Sequence, residues 1–274
     1  MDNINQAAGM VDHLDSFGAG PTDVEIAYAM ASLKPGPMDP ALLALAADPA
    51  GIAAREARAV ERRARDWAQL GQYRDANAAL DAGTVKAVFI GDSITELWAL
   101  ADPDLFREGV VGRGISGQTS PQILVRFMPD VVALKPLVVH LLCGSNDIAG
   151  NTGPTSPEDY KNNVQAILTL AQAHGLKVIL GSIPPCRSFP WIPERGFDPR
   201  PRIAELNAWL RTLADQHGLI WANYHSVLSA ADCGMRNEFT RDGVHPGLDG
   251  YAAMRAVAQA ALAQVLDGFA VGSS

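Results

Sequence analysis

The 274-residue sequence is poor in cysteine, and its cysteines are badly spaced for a disulfide or zinc framework. There are three, Cys143, Cys186 and Cys233, an odd number without a CxxC spacing. Such a set favours free thiols in a reducing compartment over disulfide bonds. His, Cys, Asp and Glu nowhere cluster with metal-ligand spacing. We therefore expect neither a metal ion nor any other cofactor.

Basic charge is also scarce, with 22 Lys and Arg against 30 Asp and Glu and a net charge of −8. Neutralising phosphates needs a basic surface, so nucleic acid is excluded as the main partner. The longest apolar stretch, residues 131–144, contains Lys135-Pro136 and is too short to span a bilayer. The first 20 residues lack the pattern of a signal peptide. We predict a cytoplasmic protein, with an exported protein lacking its leader as the alternative.

From about residue 85 onward, short apolar runs alternate with helix-like segments. The helix-like segments carry caps and terminators, such as Ser156-Pro157 before one helix and Gly218 after another. This alternation predicts an α/β fold, a three-layer, doubly wound parallel sheet that binds ligands beyond the carboxyl ends of its strands. The strand-like runs cover residues 85–90, 109–111, 137–143, 176–182 and 219–224.

The first 80 residues follow a different pattern. Residues 18–23 and 33–40 are rich in turn formers, and Arg55–Leu70 has the composition of a charged amphipathic helix. We predict an N-terminal, mainly helical extension over residues 1–80 and a main domain over residues 81–274. The extension either packs on the main domain or mediates homo-oligomerisation, and the sequence leaves both alternatives open.

Residues suited to serine-based ester hydrolysis stand at or near the predicted strand ends. That chemistry needs a hydroxyl, a base, an orienting carboxylate and donors for the oxyanion. Ser93 supplies the hydroxyl, His245 the base, and Asp242 a carboxylate within reach of the imidazole. The backbone N–H of Gly117 and the side-chain amide of Asn146 are candidate donors. These residues lie in the stretches GDSIT (91–95), GRGISGQTS (112–120), GSND (144–147) and DGVHP (242–246).

Each of these signals is weak by itself, since a serine at a strand-to-helix corner is most often a helix cap. Together the four stretches resemble the signature blocks of the GDSL/SGNH hydrolases, and the likeness covers roughly residues 85–266. GSNDIAGNTGPTSPEDY and LGSIPP resemble a bacterial esterase subset that includes platelet-activating-factor acetylhydrolase-like enzymes and carbohydrate acetylesterases. The segment at 65–80 also resembles the approach to the first block in some members.

The resemblance implies a flavodoxin-like SGNH hydrolase fold and a role for each matched residue. Ser93 would be the nucleophile, with Asp242 and His245 completing a triad. The N–H groups of Ser93 and Gly117 and the amide of Asn146 would form the oxyanion hole. Two departures, Ile94 where members often have Leu and Ser145 at the variable place of G-x-N-D, remove no functional group. Asp92 and Asp147 are interpreted as structural, bonding to loop backbone.

The implied activity is hydrolysis of short acyl esters, acetyl above all, of aryl, alkyl or sugar alcohols. Thioester or lysophospholipid hydrolysis by the same triad is the alternative, and a catalytically inactive carbohydrate-binding module is another. The Pro-, Arg- and aromatic-rich segment Ile183–Arg202 either overhangs the site or is a rigid surface loop. Trp98 either lines the pocket or packs in the core.

Three rival interpretations are disfavoured. Residues 112–117 match the dinucleotide pattern G-x-G-x-x-G, but no convincing strand leads to the acidic Asp130. The α/β-hydrolase elbow G-x-S-x-G is absent from the sequence. His225, which follows a predicted strand, is the alternative to His245 as the base, whereas His140 inside an apolar run is interpreted as a hydrogen-bonded core residue.

Overall fold

The computed structural model describes residues 22–192 and 197–271, and its centre is a five-stranded parallel sheet. The strand order is β2-β1-β3-β4-β5, so the chain changes its direction of winding between β1 and β3. This is the order of a doubly wound α/β sheet, and the predicted fold class is confirmed. The strands are β1 (Ala87–Gly91), β2 (Val110–Gly114), β3 (Val138–Leu142), β4 (Lys177–Gly181) and β5 (Ile220–Ala222).

Helices precede the sheet and connect its strands, and local sequence fixes their ends. Several of them, including α1, α3, α5 and α8, begin after a residue whose side chain accepts from an N–H of the first turn, as Ser156 does from Asp159. Gly218 ends another helix in the left-handed conformation. The helices are α1 (Asp23–Ser32), α2 (Pro40–Ala46), α3 (Pro49–Arg65), α4 (Arg74–Ala78), α5 (Ser93–Ala101), α6 (Ser120–Asp130), α7 (Ser145–Ala149), α8 (Pro157–Ala173), α9 (Arg200–His217), α10 (Tyr224–Leu228) and α11 (Leu248–Val271).

Two predicted boundaries were wrong. The helix predicted over Arg55–Leu70 spans Pro49–Arg65 instead, because Asp48 caps it and Pro49 occupies its first position. The strand predicted at 109–111 continues to Gly114, because it pairs with β1 over five residues. The other strands differ from their predicted bounds by one or two residues at each end, where apolar runs continue into the adjoining loops.

The two faces of the sheet carry separate hydrophobic cores. One packs the strands against α6, α8 and α9, and the other packs them against α5, α10 and α11. Trp98 lies at the centre of the second core, fully buried, with ring contacts to Phe89, Tyr224 and Tyr251. It is therefore a core residue and does not line the pocket.

A buried arginine joins several segments at the carboxyl edge of the sheet. Arg126 of α6 has no exposed side-chain surface and pairs with Asp130 at 3.1 Å. It also donates to the carbonyl oxygen of Gly91 at 2.7 Å and to Oε1 of Gln118 at 2.5 Å. Gln118 in turn donates to the carbonyl oxygen of Ala68 at 2.8 Å. The end of β1, the loop after β2 and the N-terminal extension are thus held by one cation.

The described part of the extension contacts the sheet domain just after α1 and again after α3. Leu33, just after α1, is buried in the second core, and its carbonyl oxygen accepts from the N–H of Leu248 at 2.8 Å. After α3, the carbonyl oxygen of Trp67 accepts from Gln122 at 2.7 Å. The turn predicted at 18–23 lies mostly outside the described residues. The first 20 residues, on which the signal-peptide prediction was based, lie wholly outside them. Across the described residues, none of the helices combines the length and apolar character needed to cross a bilayer.

We predict that Arg126→Met lowers the free energy of unfolding by about 3 kcal/mol or more, because it leaves the buried carboxylate of Asp130 without its cation and Oε1 of Gln118 without a donor. Urea denaturation measures the change. Arg211→Met is the matched control, since Arg211 pairs with Asp215 on the exposed side of α9 and is about half exposed. Its loss should stay within about 0.5 kcal/mol. Similar losses in the two variants would contradict the structural role of Arg126.

Candidate active site

The ends of three neighbouring strands are level, and this brings the sequence motifs to one edge. Gly91, the last residue of β1, is in register with Gly114 of β2 and with Leu142 of β3. The stretches that follow these strands therefore start side by side, at the point where the winding of the sheet reverses. Doubly wound sheets bind ligands at this place.

Ser93 is the first residue of α5 and follows β1 by way of Asp92. Asp92 caps the helix, with its Oδ1 accepting from the N–H of Ile94 at 2.9 Å. Ser93 itself is partly buried, and among the described residues no acceptor pairs with its backbone N–H. That N–H belongs to the first turn of a helix, where donors lack partners within the helix and the dipole favours negative charge.

Ser93, His245 and Asp242 form one chain of hydrogen bonds. Nε2 of His245 lies 2.9 Å from Oγ of Ser93, and Nδ1 of His245 lies 2.6 Å from Oδ2 of Asp242. The other carboxylate oxygen of Asp242 accepts from the backbone N–H of His245 at 2.8 Å and of Val244 at 2.9 Å. A tight turn therefore fixes the carboxylate and the imidazole relative to each other.

The electrostatics of this pair keep the carboxylate ionised. Burial works against the charge, but bonds from His245 outweigh it and lower the pKa of Asp242 to about 2. Burial likewise disfavours the imidazolium, yet the bond to Asp242 outweighs it and raises the pKa of His245 above 6.5. Because an ionised Asp242 can only accept, Nδ1 carries the proton, and Nε2 of the neutral ring accepts from the hydroxyl of Ser93.

Two further donors lie at the same edge. Gly117 is in the left-handed conformation, with φ of 78°, and its backbone N–H has no acceptor among the described residues. The side-chain amide of Asn146 donates to the carbonyl oxygen of Gln118 at 3.0 Å and to Oδ2 of Asp92 at 3.2 Å. Ser93, Gly117, Asn146, Asp242 and His245 all line one cleft of about 840 Å³.

The sequence did not indicate a group of residues that orients Asn146. Asn151 donates to Oδ1 of Asn146 at 2.5 Å, which fixes the amide so that its nitrogen points away from Asn151. Oδ1 of Asn151 accepts from Nε1 of Trp191 at 3.0 Å, and the Trp191 ring lies 6.2 Å from that of His245. The part of the segment Ile183–Arg202 that carries Trp191 thus lines the cleft, whereas residues 193–196 lie outside the described range.

Asp92 and Asp147 both bond to backbone, as expected of structural residues. Asp147 accepts from the backbone N–H of Ser120 at 3.0 Å and from its hydroxyl at 2.5 Å, which ties α7 to the start of α6. Burial raises the pKa of Asp147 to about 7 and that of Asp92 to about 6. Asp92 also accepts from Asn146, a contact that the sequence did not predict.

Other candidates from the sequence lie apart from this chain of bonds. His225 contacts Ser229, its Nδ1 lying 3.0 Å from the Ser229 hydroxyl, and so it is not the partner of Ser93. His140 is buried and contacts the hydroxyl of Tyr224 at 2.6 Å through Nε2, but its Nδ1 has no partner within the described residues, so its hydrogen bonding is incomplete. Cys143 is buried just after β3, and burial raises its thiol pKa, which makes it a poor nucleophile.

The dinucleotide interpretation of residues 112–117 fails on geometry. Asp130 lies within helix α6 and pairs with Arg126, whereas a ribose-binding carboxylate follows a strand. Gly114 is required for packing, since a Cβ there would lie 2.2 Å from the backbone nitrogen of Glu96 in α5. Within the described ranges, no group of three or more His, Cys, Asp or Glu side chains is arranged to hold a metal ion.

Comparison with known proteins gives one family. The sequence model described as "GDSL-like Lipase/Acylhydrolase family" matches residues 89–253. None of the curated proteins matches the chain in sequence.

Solved structures similar to this chain include two of more than 35% identity, both from Bacteroides. A proposed acylhydrolase from Bacteroides fragilis is 39% identical, with 73% of this chain and 98% of that chain covered and a TM-score of 0.69. A GDSL-like lipase from Bacteroides thetaiotaomicron is 37% identical, with 73% and 100% covered and a TM-score of 0.70. An acetylxylan esterase mutant from Geobacillus stearothermophilus shares the fold at 17% identity, with 67% and 95% covered and a TM-score of 0.53.

We predict that the pKa of His245 is raised from its ordinary value in the native protein and that Asp242→Asn lowers it. The substitution removes the negative charge that stabilises the imidazolium, while the cost of burial remains. Histidine-selective NMR titration measures both values, with the resonance assigned by its loss in His245→Ala. Asp232→Asn, a change at an exposed carboxylate paired with Arg187, should leave the titration unchanged. A His245 pKa that is the same with and without Asp242 would contradict the assigned interaction.

Proposed function

The chain belongs to the GDSL-like lipase/acylhydrolase family, and we propose that it is a serine esterase acting on short acyl esters, acetyl esters above all. The observation that carries this proposal is the chain of hydrogen bonds from Ser93 through His245 to Asp242, at the edge where two backbone N–H groups lack acceptors among the described residues. A hydroxyl, a neutral base and an ionised carboxylate in this order can carry out acyl transfer.

Acylation begins with attack of Ser93 Oγ on the ester carbonyl carbon. Nε2 of His245 accepts the hydroxyl proton as the C–O bond forms. The imidazolium is stabilised by Asp242, which stays ionised and holds the ring by Nδ1. His245 then gives the proton to the alcohol oxygen as the tetrahedral intermediate collapses, so the alcohol leaves on the side of His245.

The developing oxyanion is stabilised by the N–H groups of Ser93 and Gly117 and by the amide of Asn146. Both amide hydrogens of Asn146 have acceptors in the protein, and the bond to Asp92, at 3.2 Å, is the longer. We expect the oxyanion to replace that weaker bond. Because the amide is held on its oxygen side by Asn151, this exchange needs little reorganisation.

Hydrolysis of the acyl-enzyme uses the same groups in reverse. A water molecule takes the place of the alcohol, His245 removes its proton, and the second tetrahedral intermediate expels Ser93. His245 returns the proton to Oγ of Ser93 as that bond breaks, and the carboxylic acid then leaves the cleft.

The lining of the cleft supports a short acyl group. Most of its lining residues are polar or charged, and its large apolar side chains are few, chiefly Leu97 and Trp191. A long acyl chain would need a continuous apolar channel to gain from its methylene groups, each contributing about 0.8 kcal/mol on burial. Acetyl and other short groups do not depend on such a channel.

The first test is hydrolysis of p-nitrophenyl esters from acetate to decanoate. We expect kcat/KM to fall with chain length and turnover to vanish in Ser93→Ala. Ser226→Ala, a change at an exposed serine of α10, is the matched control and should retain full activity. Asn146→Ala should fold normally and lose about a hundredfold or more in kcat, since one oxyanion donor is removed. Activity that survives in Ser93→Ala would refute the proposal.

A double-mutant cycle tests the role assigned to Asn151. We expect Asn151→Ala to lower kcat about tenfold with little change in KM, because it acts only by orienting Asn146. If so, Asn146→Ala/Asn151→Ala should be no slower than Asn146→Ala alone. Multiplicative losses would show that Asn151 acts independently. Asn237→Ala, a change at an exposed asparagine outside the cleft, is the control.

A further inference from the structure

The N-terminal extension forms a wall of the candidate active-site cleft. Tyr28 and Ser32 of α1 line it together with Arg62 and Arg63 of α3, on the same cavity as Ser93. An ion pair between Arg58 of α3 and Glu25 of α1, 2.9 Å apart, holds the two helices together.

The charges on this cleft are mostly positive although the chain has a net charge of −8. Arg62, Arg63 and Arg241 line it, and Asp242 is the sole carboxylate among its described lining residues. The charge of Asp242 is matched by His245 whenever the imidazole is protonated. Clefts lined by one sign of charge concentrate ligands of the opposite sign.

These arginines are not neutralised by carboxylates in the part of the chain that the structure describes. Arg62 donates to Oε1 of Gln69 at 3.2 Å, and Arg241 donates to the carbonyl oxygens of Ala31, at 3.4 Å, and Lys34. Those contacts position the guanidinium groups without cancelling their charge, and each group keeps N–H donors for a ligand.

The carboxylate of Glu96 binds Ser116, a residue that lines the cleft. It accepts from the backbone N–H of Ser116 at 2.7 Å and from the Ser116 hydroxyl, and it does not line the cleft itself. It therefore fixes the loop before Gly117 and leaves the arginines available.

The size of the cleft indicates which part of a substrate would meet the arginines. An acetyl group fills only a small part of about 840 Å³, so the alcohol portion has to occupy most of the rest. The alcohol also leaves on the side of His245, and Arg241 lies in the same loop, immediately before Asp242.

We propose that the preferred substrates are acyl esters whose alcohol portion carries an anionic group, a carboxylate or a phosphate, bound by Arg62, Arg63 and Arg241. The inference rests on the proposed esterase function, since it assigns the substrate class of that same site. The N-terminal extension is then a determinant of specificity, because it supplies two of the three cations.

The test compares charged and neutral esters of matched shape on the full chain. One pair is 4-acetoxybenzoate with its methyl ester, and a second is 4-acetoxyphenyl phosphate with 4-acetoxyanisole. The measured quantity is the ratio of kcat/KM for the anionic ester to kcat/KM for the neutral one. Taking this ratio in wild type and variants cancels the different reactivities of the esters.

We expect Arg62→Gln/Arg63→Gln to lower the ratio roughly tenfold at low salt, about what two partly exposed ion pairs contribute. Raising the salt from about 0.01 M to about 1 M should lower the wild-type ratio as well, because it shortens the screening length about tenfold. Arg65→Gln, on the same helix but not lining the cleft, should leave the ratio at the wild-type value. The ester pair whose ratio falls more in the double variant shows whether a carboxylate or a phosphate is the preferred anion.

The outcomes separate the two proposals. If wild type hydrolyses the neutral esters in a Ser93-dependent manner but the ratio is unaffected by salt and by the double variant, the substrate class is wrong and the esterase function stands. If wild type hydrolyses none of the four esters, both proposals fall together.

Discussion

The candidate site depends on one buried charge, the guanidinium of Arg126. A cation without exposed surface is tolerated only when its acceptors are all in place, and these acceptors come from the end of β1, from the loop after β2 and from α6 itself. Gln118 extends the network, since its side chain reaches the extension and its carbonyl oxygen accepts from Asn146. The strand end that leads to Ser93 and the loop that carries Gly117 are therefore fixed relative to each other by the cost of leaving this charge unpaired.

Much of the fold could be predicted because strand and helix signals are local. Short apolar runs indicated the five strands, the central ones buried on both faces, and caps such as Ser156 indicated helix starts. The place of the extension could not be predicted in the same way. Its docking depends on Leu33, a single buried leucine after a largely exposed helix, and on backbone carbonyls of residues such as Ala68. Neither feature produces a periodic sequence pattern, so the sequence could not distinguish packing on the domain from self-association.

The same distinction between local and non-local signals applies to the residues of the candidate site. Ser93, Gly117, Asn146, Asp242 and His245 stand in short motifs whose residue types are those the chemistry needs, and they line one cleft. The supporting residues carry no such motif. Arg126 and Asn151 act through partners that the fold brings to them, and an arginine or an asparagine has no local signature for that role. Trp191 was noticed only as part of an aromatic-rich segment, because its bond to Asn151 joins residues 40 apart.

Ser93 and His245 lie 152 residues apart along the chain, and this separation determines how late in synthesis and folding they can meet. Closing so long a loop is entropically costly until the sheet and its helices are assembled. During synthesis the serine emerges well before the histidine. A growing or partly unfolded chain thus holds Ser93 without its imidazole partner, and the proposed catalytic arrangement forms only after the segment that carries His245 has joined the domain.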